Sequence, residues 1–112
     1  MVFAQTSQPK NIIFMVGDGM GVAQVYTSIV AMKGKSNFER FKYVGFSKTY
    51  SYSDYTTDSG AGGTALFTGN KENNKAIAMS PDGKPLTTLL EKAKEYGMTT
   101  GFVVSTIVNS AT

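Results

Sequence analysis

The sequence has no cysteine, no histidine and a single arginine, Arg40. Without cysteine there is no disulfide, thiol nucleophile or thiolate metal site, and cysteine usage says nothing of the redox compartment. The missing histidine excludes more. Imidazole is the commonest metal ligand and the usual general base near neutral pH, so the ordinary means of activating a serine is not in this chain. Any chemistry must use oxygen ligands and help from outside it. No apolar run approaches the roughly 18 residues a membrane span needs. Blocks of like charge are also lacking: eleven basic and eight acidic residues give a net charge of +3, spread along the sequence. That pattern gives nucleic-acid binding little support. The slight basic bias suits an anionic substrate, and equally an ordinary solvated surface.

What is present suffices for one small domain, since 41% of the 112 residues are hydrophobic. Residues 1–10 are polar after a short apolar start and read as a flexible leader. Val2, Phe3 and Ala4 also look like the small-residue end of an export signal, without the charged and long apolar regions expected upstream. Residues 11–112 then alternate buried strand with amphipathic helix. Asn11 to Val16 (NIIFMV), Val44 to Tyr52 and Thr99 to Val104 have the composition of strands. Helices are expected over Val22 to Met32, from about Ser59 to Phe67, and from Pro85 to a stop at Gly97, with a short turn or helix over Asn37 to Lys42. Lys71 to Lys84 reads as a polar surface hairpin around Pro81-Asp82-Gly83, outside the core. The alternation predicts an α/β fold with a mostly parallel sheet and covering helices.

Three segments can carry chemistry. GDGMG, Gly17 to Gly21, stands at the carboxyl end of the first expected strand, where open parallel sheets bind ligands. Val22 occupies the place of the third glycine of a dinucleotide fingerprint, which excludes that motif. Glycines on either side of Asp18 instead turn the backbone sharply and expose one carboxylate, either as a ligand for a divalent metal or as the cap of the following helix. The second segment, TTDSGAGGTALFTG, places Ser59 at a helix start among residues with almost no side chain. Helix amides and the dipole favour a phosphoryl group there; capping by Asp58 or Ser59, with glycines for close packing, is the structural alternative. A P-loop is excluded, because Asn70 stands where its lysine belongs. The third segment, VVSTIVNSAT, ends in Ser110 and Thr112, whose oxygens suit a hard cation such as magnesium and equally an ordinary loop.

A serine hydroxyl with no histidine beside it needs a cation to become a nucleophile. Divalent metals lower its pKa and neutralise phosphate, and an arginine commonly grips the remaining oxygens. Arg40 is far in sequence from both motifs and reads as a surface residue.

Taken together and in this order, NIIFMVGDGMG, TTDSGAGGTALFTG and VVSTIVNSAT resemble the first strand and metal turn, the nucleophile signature and the magnesium segment of the alkaline phosphatase family. The resemblance runs from about Asn11 to the end of the chain. It implies a three-layer α/β/α sandwich, incomplete here, and hydrolysis of phosphate monoesters through a phosphoserine intermediate. Its cofactors would be two zinc ions and one magnesium ion. Position by position it implies Ser59 as the phosphorylated residue and a metal ligand, Asp18 as a carboxylate bridging zinc and magnesium, Asp58 as the residue orienting a phosphate-gripping arginine, and Thr112 as a magnesium ligand. The implied partners are a phosphate monoester and inorganic phosphate, with no nucleic acid and no membrane, in a periplasmic or extracellular setting; a homodimer is an assembly the resemblance allows.

Two departures stand out. Ser110 occupies a position where the family places an aspartate or histidine. The histidine and aspartate ligands that complete the zinc sites, and the arginine, belong to later parts of the family's sequence, so the chain is expected to be an amino-terminal fragment, inactive alone. Two other functions remain open on the sequence: a phosphodiesterase or phosphate-transferring mutase of the same superfamily, and a non-catalytic module in which Asp18 and Ser59 are turn and cap residues.

Overall fold

The computed structural model describes residues 10–111. The expected leader therefore lies almost wholly outside the described residues, as does Thr112. Three α-helices follow one another: α1 (Val22–Ala31), α2 (Ser59–Thr68) and α3 (Leu89–Glu95), with a 3-10 helix at Asn37–Arg40 between the first two. None among the described residues is long and apolar enough to cross a membrane.

Each helix forms where local chemistry closes its ends. The Gln24 side chain accepts from the Gly21 N–H at 3.1 Å, fixing the start of α1, and Gly34 in the left-handed region (φ 74°) follows its end. Ser36 caps the 3-10 helix by accepting from the Phe38 N–H. α2 starts under an Asp58 cap and stops at Gly69, again left-handed. α3 starts at Leu89, later than the proline suggests. Pro85 pairs with Met79 across the Pro81–Gly83 turn, and a Thr88/Glu91 capping box opens the helix instead. Gly97 ends it, as expected (φ 74°).

No strand forms among the described residues; the Met79–Pro85 bridge is isolated. Residues 11–16, 44–50 and 99–104 carry no regular structure. The physical reason is that a ladder needs a neighbouring backbone, and parallel neighbours arrive only through long crossovers, whereas a helix satisfies itself within four residues. Many of their large side chains stay in solvent: Phe46 is 90% and Val103 fully exposed.

Order is concentrated around α2. Ala61 is the one fully buried apolar residue among those described, accompanied by buried Gly60 and Thr64 on the same helix. Phe14 meets Phe67 edge-on with ring centroids 5.5 Å apart, a geometry that adds about 0.5–1.5 kcal/mol beyond area burial. Further along, Asp18 meets Ser59. These two contacts make residues 14–18 run antiparallel to α2, the relation a strand and helix have in a βα unit. The 71–84 segment departs from the surface role expected of it. Glu72 is 1% exposed, and the loop is tied to α2 where Asn74 accepts from the Asp58 N–H and the Ala78 N–H donates to Thr64 Oγ1.

Candidate active site

The GDGMG turn and the start of α2 meet at one cleft. Gly19 takes φ 62°, a left-handed conformation that strains any residue with a Cβ. A Cβ at Gly17 would approach the Met20 side chain to within 2.7 Å. The two glycines thus allow a turn that delivers the exposed Asp18 carboxylate to α2. Ser59 Oγ donates to it, 3.0 Å from Oδ2 and 3.2 Å from Oδ1.

Asp58 holds the serine's backbone. Its Oδ1 accepts from the Ala61 N–H at 2.9 Å and its Oδ2 from the Lys75 N–H at 2.6 Å. The carboxylate therefore caps α2 and ties it to the following loop. The small residues after Ser59 allow close approach: a Cβ at Gly60 would come within 3.0 Å of the Ala76 carbonyl oxygen.

A cleft of about 750 Å³ opens over these groups, lined by Asp18, Asp58, Ser59, Lys48, Tyr50 and Lys71 among others. The Lys71 ammonium donates to the carbonyls of Lys48 (3.3 Å) and Tyr50, and lies 3.5 Å from the centroid of the Tyr50 ring. The cleft thus combines a lysine-bearing wall with the amino end of a ten-residue helix, whose dipole favours negative charge at Ser59.

The sequence-based candidates divide as follows. Asp18, Asp58 and Ser59 come together. Arg40 is exposed, donates to Asn37 Oδ1 at 3.3 Å and takes no part in the cleft. Ser110 is exposed. Its neighbour Ala111 brings a carbonyl oxygen to 3.5 Å from where a Gly63 Cβ would stand, so the third segment reaches α2 one turn from the serine. Thr112 falls outside the described residues. Lys71 and Asn74 were not marked by any spacing; only the return of the chain across α2 brings them here.

Asp58 being engaged by two main-chain N–H groups, the oxygens that the cleft brings together for a cation are the Asp18 carboxylate and the Ser59 hydroxyl, ligands suited to a hard or borderline divalent cation. They fit as part of a metal centre. No group of three or more histidine, cysteine, aspartate or glutamate side chains able to hold a metal occurs among the described residues.

The chain matches the alkaline phosphatase family over residues 9–112. It is 38% identical over 111 residues to an alkaline phosphatase of Schizosaccharomyces pombe, covering 94% of this chain and 21% of the relative. Alkaline phosphatase 4 of Bacillus subtilis is 39% identical over 113 residues, covering 92% and 24%. The human tissue-nonspecific alkaline phosphatase is 32% identical over 127 residues, covering 96% and 24%. The chain therefore spans between a fifth and a quarter of the length of these curated relatives. No solved structure matches it. Because the match takes in the aspartate turn, the serine helix and the segment that reaches them, the chain belongs to the alkaline phosphatase family.

Proposed function

We propose that a full-length alkaline phosphatase carrying this sequence hydrolyses phosphate monoesters through Ser59. The observation that carries the reading is the Ser59 hydroxyl lying against the Asp18 carboxylate at the amino end of α2. Divalent zinc and magnesium, when bound, would lower the hydroxyl's pKa and offset the charge of the phosphate. Asp18 and Ser59 would hold them, with Thr112 as a further ligand and the remaining ligands supplied from outside these residues.

The chain's own residues orient the reaction. Asp18 holds the Ser59 proton by accepting it as a hydrogen bond, which directs the oxygen lone pairs toward the cleft. Asp58 fixes the first turn, so the helix dipole is aimed at the phosphoryl oxygens. The Ser59 proton passes to solvent water as a bond forms between Ser59 Oγ and phosphorus and the bond to the ester oxygen breaks, and the leaving alkoxide takes a proton from water, so that no net proton is gained or lost. Water then cleaves the phosphoserine, releasing inorganic phosphate and restoring the hydroxyl. Orientation of an arginine by Asp58 belongs to the same reading. Both of its oxygens already accept a main-chain N–H, and each retains a lone pair for a guanidinium.

The 112 residues alone do not turn over substrate on this account, because the described donor set is incomplete. The test compares two proteins with an aryl phosphate plus zinc and magnesium. The full-length enzyme should lose nearly all activity on Ser59→Ala, and the isolated chain should show none. Retained activity in the full-length variant would refute the nucleophile, and Ser59-dependent turnover by the isolated chain would refute its incompleteness.

A further inference from the structure

The loop after α2 is built against the nucleophile in a way the chemistry above does not use. The Asn74 carboxamide spans two residues of the segment leading into Ser59: Oδ1 accepts from the Asp58 N–H at 3.1 Å, and Nδ2 donates to the Thr56 carbonyl at 3.0 Å. One residue of a parallel strand makes the same pair of bonds to its neighbour, through its own backbone. A side chain here replaces a missing strand. The Asn74 N–H in turn donates to Ser53 Oγ at 3.1 Å, and the Lys75 N–H to Asp58 Oδ2 at 2.6 Å.

The loop accepts an unfavourable backbone to do this. Lys75 (φ 71°) and Ala78 (φ 49°) occupy the left-handed region without being glycine, a state that persists only where surrounding contacts over-determine it. Both aim their N–H groups at α2 or its cap, Lys75 at Asp58 and Ala78 at Thr64 Oγ1 (2.9 Å). Between them the Ala76 carbonyl rests on Gly60, where any Cβ would intrude.

We infer that Asn74 is a positioning residue for phosphoryl transfer: its carboxamide, together with the Lys75 amide, holds Thr56–Asp58 so that Ser59 Oγ faces Asp18. The inference rests on Ser59 as the nucleophile. Asn74 acts through Asp58, so its loss should disturb attack geometry and leave substrate binding largely intact.

The test uses the full-length enzyme and counts folded protein by gel filtration and circular dichroism, so that misfolded protein does not enter the rate. Asn74→Ala should lower kcat per folded site by on the order of 10- to 100-fold, with KM changed by less than about twofold. Gly60→Ala, whose Cβ would stand 3.0 Å from the Ala76 carbonyl oxygen and push the loop by a few tenths of an ångström, should give a smaller loss of the same kcat-dominated kind and serves if the first variant does not fold. A kcat per site within about twofold of wild type in the folded variant, or a loss confined to KM, would overturn the inference. Ser59→Ala measured alongside separates the two claims. If it is inactive while Asn74→Ala is normal, only the positioning role falls; if it is active, both fall.

Discussion

Ser59 Oγ lies 3.0 and 3.2 Å from the two oxygens of Asp18, across 41 positions of sequence. The contact joins a glycine-flanked turn to the first residue of a capped helix. Among the described residues it joins two of the segments singled out for chemistry.

If, as proposed, the Asp18 carboxylate contributes to a metal site beside the Ser59 nucleophile, activity depends on divalent cations. Chelation of a full-length enzyme should abolish phosphate release, and zinc plus magnesium should restore it. Asp18→Asn keeps an acceptor for Ser59 but removes the charge. Because outer partners of metal ligands already cost about 10- to 100-fold, it should raise the metal concentration for half-maximal activity by at least about 10-fold. Activity persisting in thoroughly metal-free enzyme would contradict the assignment.

Asp58 has separable duties. Asp58→Ala removes the cap of α2 and the acceptor for Lys75, and should destabilise the first turn by about 1–2 kcal/mol. Asp58→Asn retains a cap and should cost less. Hydrogen exchange at the Ala61 amide reads this directly: opening should accelerate by roughly 5- to 30-fold in the alanine variant. Unchanged protection would show that the cap does not hold the turn.

The start of α3 should respond to acid. The Glu91 carboxylate accepts from the Thr88 N–H at 2.7 Å and the Thr88 hydroxyl at 2.9 Å, and these bonds, that to the backbone first, hold its pKa below the ordinary 4.5. A pKa lowered in the folded state means the stabilisation is present above 4.5 and is lost as pH falls through the lowered folded value. The Thr88 amide resonance should therefore shift in that acid window in wild type and not in Glu91→Ala. A transition centred above 4.5 would contradict the capping account.

The exposed apolar segments give a prediction for the isolated chain. With Phe46 90% and Val103 fully exposed, and with Ala61 the one fully buried apolar residue described, cooperative packing is lacking. The chain should bind a hydrophobic dye and unfold without a sharp transition. A steep melt with coincident near- and far-ultraviolet signals would show a core this structure does not contain.

How much the sequence disclosed follows from how local each signal is. α1 and α2 were legible because caps, glycine stops and apolar spacing act within a few residues, and the Ser59 start agrees to the residue. Pro85 misled because its fixed φ suits a bridge as well as a helix start, and the Thr88/Glu91 box decided the matter. The expected strands were read from composition, which reports the wish for burial but not the partner that satisfies it. Family membership brings the α/β architecture, while the sheet itself is not formed among the described residues. At the site, Asp18 and Ser59 were legible because glycines and small residues mark them. Lys71 and Asn74 were not, since a lysine or asparagine in a polar stretch has no local signature and gains its role only when the chain folds back across α2.

The most direct measurement is acid quenching of a full-length enzyme during turnover of an aryl phosphate, followed by mass analysis of the trapped phosphopeptide. Phosphate is expected on Ser59, up to one per active site, and none in Ser59→Ala. Phosphate trapped on another residue, or turnover continuing in Ser59→Ala, would contradict it.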